Sequence, residues 1–192
     1  MMSDEKAALI MTHAQMLFIE HGFHGTSMQM IAKAAGIAAG TVYVHFPSKE
    51  ELIRAIYRQA VIETIDCLLI DFDMEAPPFE QYSRFWKNAR EGLATRMELI
   101  HFKELYERSP FFNDDDRVMN DEKWLHIEEF YQRGIDVGLF RNMPTCLLGY
   151  LSLGSVLSIP HTQRVEPFEM TPELESEMIR ASWTAILAEE KQ

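Results

Sequence analysis

The side chains of this chain that could do chemistry are hydrogen-bonding groups without a catalytic arrangement. Ser152 and Ser155 have no activating partner visible in the sequence, no glycine-rich loop can cradle a phosphate, and no Cys-x-x-Cys pair occurs. Asp114, Asp115 and Asp116 stand together, but no His or Cys lies near them. They read as a solvated, negatively charged helix start rather than a metal site. The expectation is no enzyme, no metal and no cofactor. The stretch from Ala38 to His45 offers something else. Val42 and Phe46 lie four apart and face inward on a short helix, which leaves Ala38, Ala39, Gly40, Thr41, Tyr43, Val44 and His45 outward. With only small side chains at its N-terminal end, such a helix can bring its backbone close to a DNA major groove. Spacing alone leaves an alternative open, a plain three-helix cap whose outward residues are merely solvated.

Those residues need elements to hold them, and helical periodicity supplies them along the whole chain. Ala7, Ile10, Met11, Ala14, Leu17 and Phe18 recur at spacings of three and four, and Gly22 and Gly25 stop that helix. Thr26 or Ser27 can cap a second helix on which Met28, Ile31, Ala32 and Ala35 share a face. Gly36 ends it with a turn geometry that a Cβ would resist, and Ala32 is small enough to let two short helices cross closely, a helix-turn-helix arrangement. Pro47 breaks the chain, and Ser48-Lys49-Glu50-Glu51 is a capping box opening a long helix to about Asp73, closed by Pro77-Pro78.

The remainder reads as helical too. Phe79 to about Arg108 forms one helix or two, with Gly92 the expected interruption. A helix from about Asp115 to Val137 carries Met119, Trp124, Ile127, Phe130 and Tyr131, and ends at Gly138. Pro144 opens another at its first turn, running to about Ile159, and Thr171-Pro172 opens the last. The fold expected is all-α: a three-helix head at residues 1–52, a linking helix at about 48–73, and a helical body at 53–192.

Charge divides along the same line. The 192 residues carry a formal net charge of −12 with 47% hydrophobic residues, which excludes a disordered chain and a protein that coats nucleic acid unspecifically. Residues 1–60 hold five basic and five acidic side chains, so the whole negative balance lies beyond them. The start of the chain has no leader pattern, and the longest apolar stretch, Cys146 to Ile159, is too short to span a bilayer of about 30 Å. A cytoplasmic protein with no membrane contact is expected. Cys67 and Cys146 each sit in an apolar run and read as buried free thiols in a reducing compartment, with a disulfide between them as the alternative.

The run Leu17-Phe18-x-x-x-Gly22-Phe23-x-x-Thr26-Ser27, then Ile31-Ala32-x-Ala34-Ala35-Gly36-Ile37, then Gly40-Thr41-Val42-Tyr43-x-His45-Phe46-Pro47-Ser48-Lys49-Glu50-Glu51-Leu52 resembles the TetR (tetracycline repressor-like) family of bacterial transcriptional regulators. The resemblance implies a homodimer whose two heads read a near-palindromic, double-stranded operator and whose bodies bind a small effector. Carried onto this chain, it implies phosphate contacts for Tyr43, His45 and Lys49, with Thr26 or Ser27 offering donors at the start of the second helix. Gln29, Ala39, Gly40, Thr41 and Val44 take the positions that look toward base edges. Two departures stand out. Ala38 replaces a common capping Ser, at a cost of about 1 kcal/mol, and Ala39 and Val44 replace polar, basic or aromatic residues, so apolar contact with thymine methyls gains weight.

For the effector, the body offers Trp86, Met97, Phe102, Trp124, Tyr131 and Tyr150 as apolar lining, with Arg90 and His101 as embedded polar groups. Twelve methionines favour a deformable pocket and a lipophilic ligand. The last two helices, about 144–160 and 172–188, carry more apolar surface than a thin body needs, which a second copy would bury. The function expected is a ligand-responsive, dimeric, DNA-binding repressor. The alternative is a helical small-molecule-binding protein that does not read DNA.

Overall fold

Apolar spacings of three and four give helices in every regular segment. The computed structural model describes residues 3–94, 96–113 and 122–189, the side chains of 3, 93, 94 and 122–124 excepted. The Asp114–Asp116 run and Met119 therefore lie outside the described residues, as does the side chain of Trp124. The helices are α1 (Ser3–Gly25), α2 (Met28–Ala34), α3 (Ala39–His45), α4 (Lys49–Leu68), α5 (Pro78–Ala94), α6 (Met97–Glu107), α7 (Glu122–Asp136), α8 (Thr145–Val165) and α9 (Pro172–Ile186). Among the described residues the β content is one isolated bridge, Phe140 to Leu187.

Three helix starts follow from their capping residues. Ser27 caps α2, its hydroxyl accepting from Met30 N at 3.2 Å, and the Ser48 hydroxyl accepts from Glu51 N at 3.1 Å at the head of α4. Thr171 does the same for α9, where Pro172 stands in the first turn. Four boundaries differ from expectation, each for a local reason. Gly22 (φ 72°, ψ 169°) breaks the helical geometry of α1, yet the segment resumes for a last turn to Gly25. The α4 helix stops at Leu68, not Asp73, because the Asn88 amide donates to the carbonyls of Leu68 and Ile70 at 3.0 and 2.7 Å. The α5 helix runs through Gly92, so the interruption comes after Ala94. The α8 helix passes through Pro160 to Val165 rather than ending at Ile159.

Packing gathers the chain into two compact units. The first comprises residues up to Glu63 together with Arg96–Met119. It extends past residue 52 because Leu52, Ile53, Ile56 and Tyr57 of α4 are buried in the same core as Ile10, Ala14, Phe18, Ile31 and Val42. Phe102 and Tyr106 of α6 complete that core, with the Phe23 ring 5.8 Å from Phe102 and 6.3 Å from Tyr106, both edge-on.

The second unit comprises Thr64–Thr95 and Asn120–Gln192. Its centre is aromatic and polar at once. The Tyr82 hydroxyl of α5 lies 3.0 Å from Ser152 O and 2.7 Å from Ser182 Oγ, and the Tyr131 hydroxyl of α7 lies 2.7 Å from Ser152 Oγ. Four helices thus share one buried hydrogen-bond network, and Ser152, whose hydroxyl also donates to Leu148 O, belongs to it. Burial pushes both phenols above their usual range, Tyr131 to about 12. The end of α7 is wrapped by Gly138 (φ 74°), with Leu139 N and Gly138 N donating to the carbonyls of Gly134 and Ile135. Phe140 then folds its ring onto the bare Cα of Gly134. Of the two cysteines, Cys67 is buried as expected, whereas Cys146, in the first turn of α8, is exposed.

Candidate nucleic-acid interface

The interface begins at the joint between α1 and α2. Thr26 is buried, and its Oγ1 lies 3.0 Å from both Leu17 O and Gly22 O. The single hydroxyl proton is shared between two carbonyls of α1, one before and one at the Gly22 break. Of Thr26 or Ser27, the pair expected to offer donors to a phosphate, Thr26 has its hydroxyl engaged as an internal staple. Ser27 remains at the surface as the cap of α2, and Gln29 stands exposed in the first turn.

Gly36 (φ 66°) makes the turn between α2 and α3. Ile37 N donates to Ala32 O at 3.0 Å and Gly36 N to Lys33 O at 3.2 Å, a left-handed glycine wrap that frees the chain to start α3 two residues later. Ala38 has the extended backbone of a cap (φ −69°, ψ 141°) but no side chain to do the capping. Val42 is fully buried and Phe46 nearly so, which anchors α3 by one face. The opposite face presents Gly40, Tyr43 at 45% exposure and Val44 at 80%, with Ala39, Thr41 and His45 half-buried beside them. The exposed isopropyl group of Val44 is available for contact.

Lys49, like Thr26, is already engaged within the head. Its ammonium donates to Phe23 O at 2.8 Å and Thr26 O at 3.2 Å, so two of its three protons are held by the α1–α2 joint. Electrostatically the region suits a polyanion even so. From His21 to Lys49 the sequence contains no carboxylate, while it contains Lys33, Lys49 and three histidines.

Two family models cover most of the chain: bacterial regulatory proteins of the tetR family over residues 10–56, and the tetracyclin repressor-like C-terminal domain over residues 77–187. The chain belongs to the TetR family. An HTH-type transcriptional regulator of Haemophilus influenzae is 29% identical over 180 residues, covering 94% of this chain and 95% of that one. The solved structure of a TetR-family transcriptional regulator from the same organism superposes with a TM-score of 0.82 at 28% identity, over 96% of this chain and 97% of that chain. A TetR-family regulator from Marinobacter aquaeolei reaches a TM-score of 0.88 over 97% of each chain; at 24% identity it speaks for the fold. This TetR-family chain is accordingly a transcriptional regulator with a DNA-binding helix-turn-helix, from a family that is generally non-enzymatic. No helix among its described residues is long and apolar enough to cross a membrane, and none of those residues gather into a cluster of metal-binding side chains.

The residues expected to line an effector pocket are divided between the two units of this regulator. Phe102 is wholly buried in the core of the first unit, and Met97 and His101, on the same helix, are exposed. Phe102 is therefore a core ring, since α6 packs its apolar face on α1. In the second unit Trp86 is fully buried with no hydrogen-bond partner for Nε1 among the described residues, Arg90 is paired with Glu175 at 2.6 Å, and Tyr131 is tied to Ser152. Tyr150 is 76% exposed and lines nothing internal. A cavity of about 260 Å³ in the second unit is bounded by other residues, among them Met74, Gln81, Phe130, Arg133, Val137 and Phe140. No pattern in the sequence marked it, because its walls come from two stretches some fifty residues apart, 74–81 and 130–140.

Proposed function

We propose that this protein is a dimeric, ligand-responsive repressor that reads a near-palindromic operator with α3 and the start of α2. The observation that carries the reading is the two-faced α3: Val42 is sealed in the head core while Gly40, Tyr43 and Val44 on the same seven-residue helix stand in solvent. Tyr43, His45 and Ser27 suit phosphate oxygens. Gln29, Ala39, Gly40, Thr41 and Val44 suit base edges, with Val44 and Ala39 favouring thymine methyls.

The apolar surface of α8 supports dimerisation through the last two helices. Leu147, Tyr150, Leu151 and Leu157 are 50%, 76%, 42% and 42% exposed, which a second copy would cover in a four-helix interface. Effector response is supported by the placement of α6. Its rings belong to the core of the head, yet the segments before and after it in the chain, Thr64–Thr95 and Asn120–Gln192, form the other unit. A small effector, lipophilic in keeping with the methionine content, would act by shifting α6 and α4 and so the spacing of the two reading helices.

Fluorescence anisotropy with 30-base-pair duplexes tiling the DNA upstream of its own coding region, at two salt concentrations, tests the reading. One duplex should bind at least about 10³-fold more tightly than the others. Equal affinity for all duplexes, or no binding at about 100 mM salt, would sink it and leave the alternative of a helical ligand-binding protein that does not read DNA.

A further inference from the structure

Lys49 was expected to meet a phosphate, and its geometry assigns it other work. The carbonyls at the end of a helix lack backbone partners and carry the negative end of the helix dipole, so a cation placed on them is held by charge as well as by hydrogen bonds. Lys49 Nζ sits on two such acceptors, Phe23 O at 2.8 Å and Thr26 O at 3.2 Å, across 26 and 23 residues of chain. The same short joint is held from inside by the Thr26 hydroxyl on Leu17 O and Gly22 O. The next residue, Ser27, caps α2, and the Gly36 wrap joins α2 to α3.

We propose that Lys49 is a positioning residue: its ammonium ties the first turn of α4 to the α1–α2 joint and thereby sets the orientation of the α2–α3 pair relative to α4. This rests on the DNA-reading role of α3 argued above. A displacement of α4 is then passed to the reading surface through a charged tether and not through the core alone. Lys49 contributes to DNA binding by holding that surface in place, while the phosphate contacts come from Tyr43, His45 and Ser27.

The test is Lys49→Met in the full chain, with three readouts: affinity for the duplex the wild-type protein prefers, the dependence of that affinity on salt, and amide hydrogen exchange in the head. A lysine that neutralises a phosphate contributes about 0.9 to the slope of log K against log salt. A tether contributes nothing to that slope, and its loss should lower affinity about tenfold, the scale of one charge-assisted hydrogen bond. The expected result is weaker binding, a salt slope unchanged to within about 0.3 per lysine, and faster exchange at residues 23–31. A slope lower by about 0.9 per lysine overturns the proposal whatever the affinity does. So does a variant equal to wild type in both affinity and exchange. A Lys49→Met chain that fails to fold also overturns the proposal, since the tether is held to orient α2 and α3 within a head that folds without it. If the wild-type protein binds none of the duplexes, the DNA-reading role fails, and the exchange comparison still decides whether the tether exists.

Discussion

At the scale of single residues, burial decides what a side chain is for. Gly134 shows this most sharply. A helical glycine ordinarily costs about 1 kcal/mol against alanine, so Gly134→Ala would stabilise an exposed helix. Here an added Cβ would fall inside the Phe140 ring, and Phe140 is itself packed on Phe130 and Trp183. Overpacking of that kind costs about 1–3 kcal/mol, so the sign reverses. Gly134→Ala should lower stability by about 1–2 kcal/mol in urea unfolding, and an increase would mean that the ring moves aside freely. Tyr131 and Tyr82 make a second case. Their folded-state pKa values lie above the unfolded value near 10, so the neutral phenols contribute stability that is intact below pH 10. That contribution is lost as pH rises from about 10 to about 12, where the unfolded chain has already released its protons. Urea midpoints should fall steeply above pH 10, and less steeply in Tyr131→Phe; identical pH curves for the two proteins would remove Tyr131 from the account.

At the scale of elements, the two short helices of the head are set by their ends. The α2 helix has a serine cap and a glycine wrap, whereas α3 has neither at its start, only an alanine with cap-like backbone angles. Ala38→Ser should supply the missing acceptor for the first amides of α3 and raise the stability of the head by about 1 kcal/mol. Thermal unfolding followed by circular dichroism would record the gain, and no change would show that the Ala38 carbonyl, which already accepts from Thr41 N at 2.9 Å, satisfies that turn. The capped and wrapped ends of this head were legible in the sequence because Ser, Gly and Pro act locally. The stop of α4 at Leu68 was not, since the Asn88 amide that caps it comes from twenty residues downstream.

At the scale of the molecule, charge and apolar surface say how the chain is used. The negative balance lies wholly beyond residue 60, so the stretch that carries α1, α2 and α3 adds no net repulsion toward a polyanion. The exposed leucines of α8 predict a dimer in solution. Leu147→Glu with Leu151→Glu should leave each chain folded, because both side chains already face solvent. The same pair should shift the mass measured by light scattering from twice 22.3 kDa to 22.3 kDa. A variant that remains dimeric would place the interface elsewhere.

The sequence by itself determined the helical class, the turn at Gly36, the cap at Ser48, a cap at Thr26 or Ser27, the inward pair Val42 and Phe46, and the family, since each is written in neighbouring residues. Only the tertiary structure decided which side chains are already in use. It turned the Thr26 hydroxyl onto Leu17 O and Gly22 O, seated Lys49 on the end of α1, drew Phe102 into the core of the head and left Tyr150 in solvent. Periodicity reveals that a helix has a face to cover. Which distant segment covers it, and which donors that contact consumes, depends on groups brought together from far along the chain.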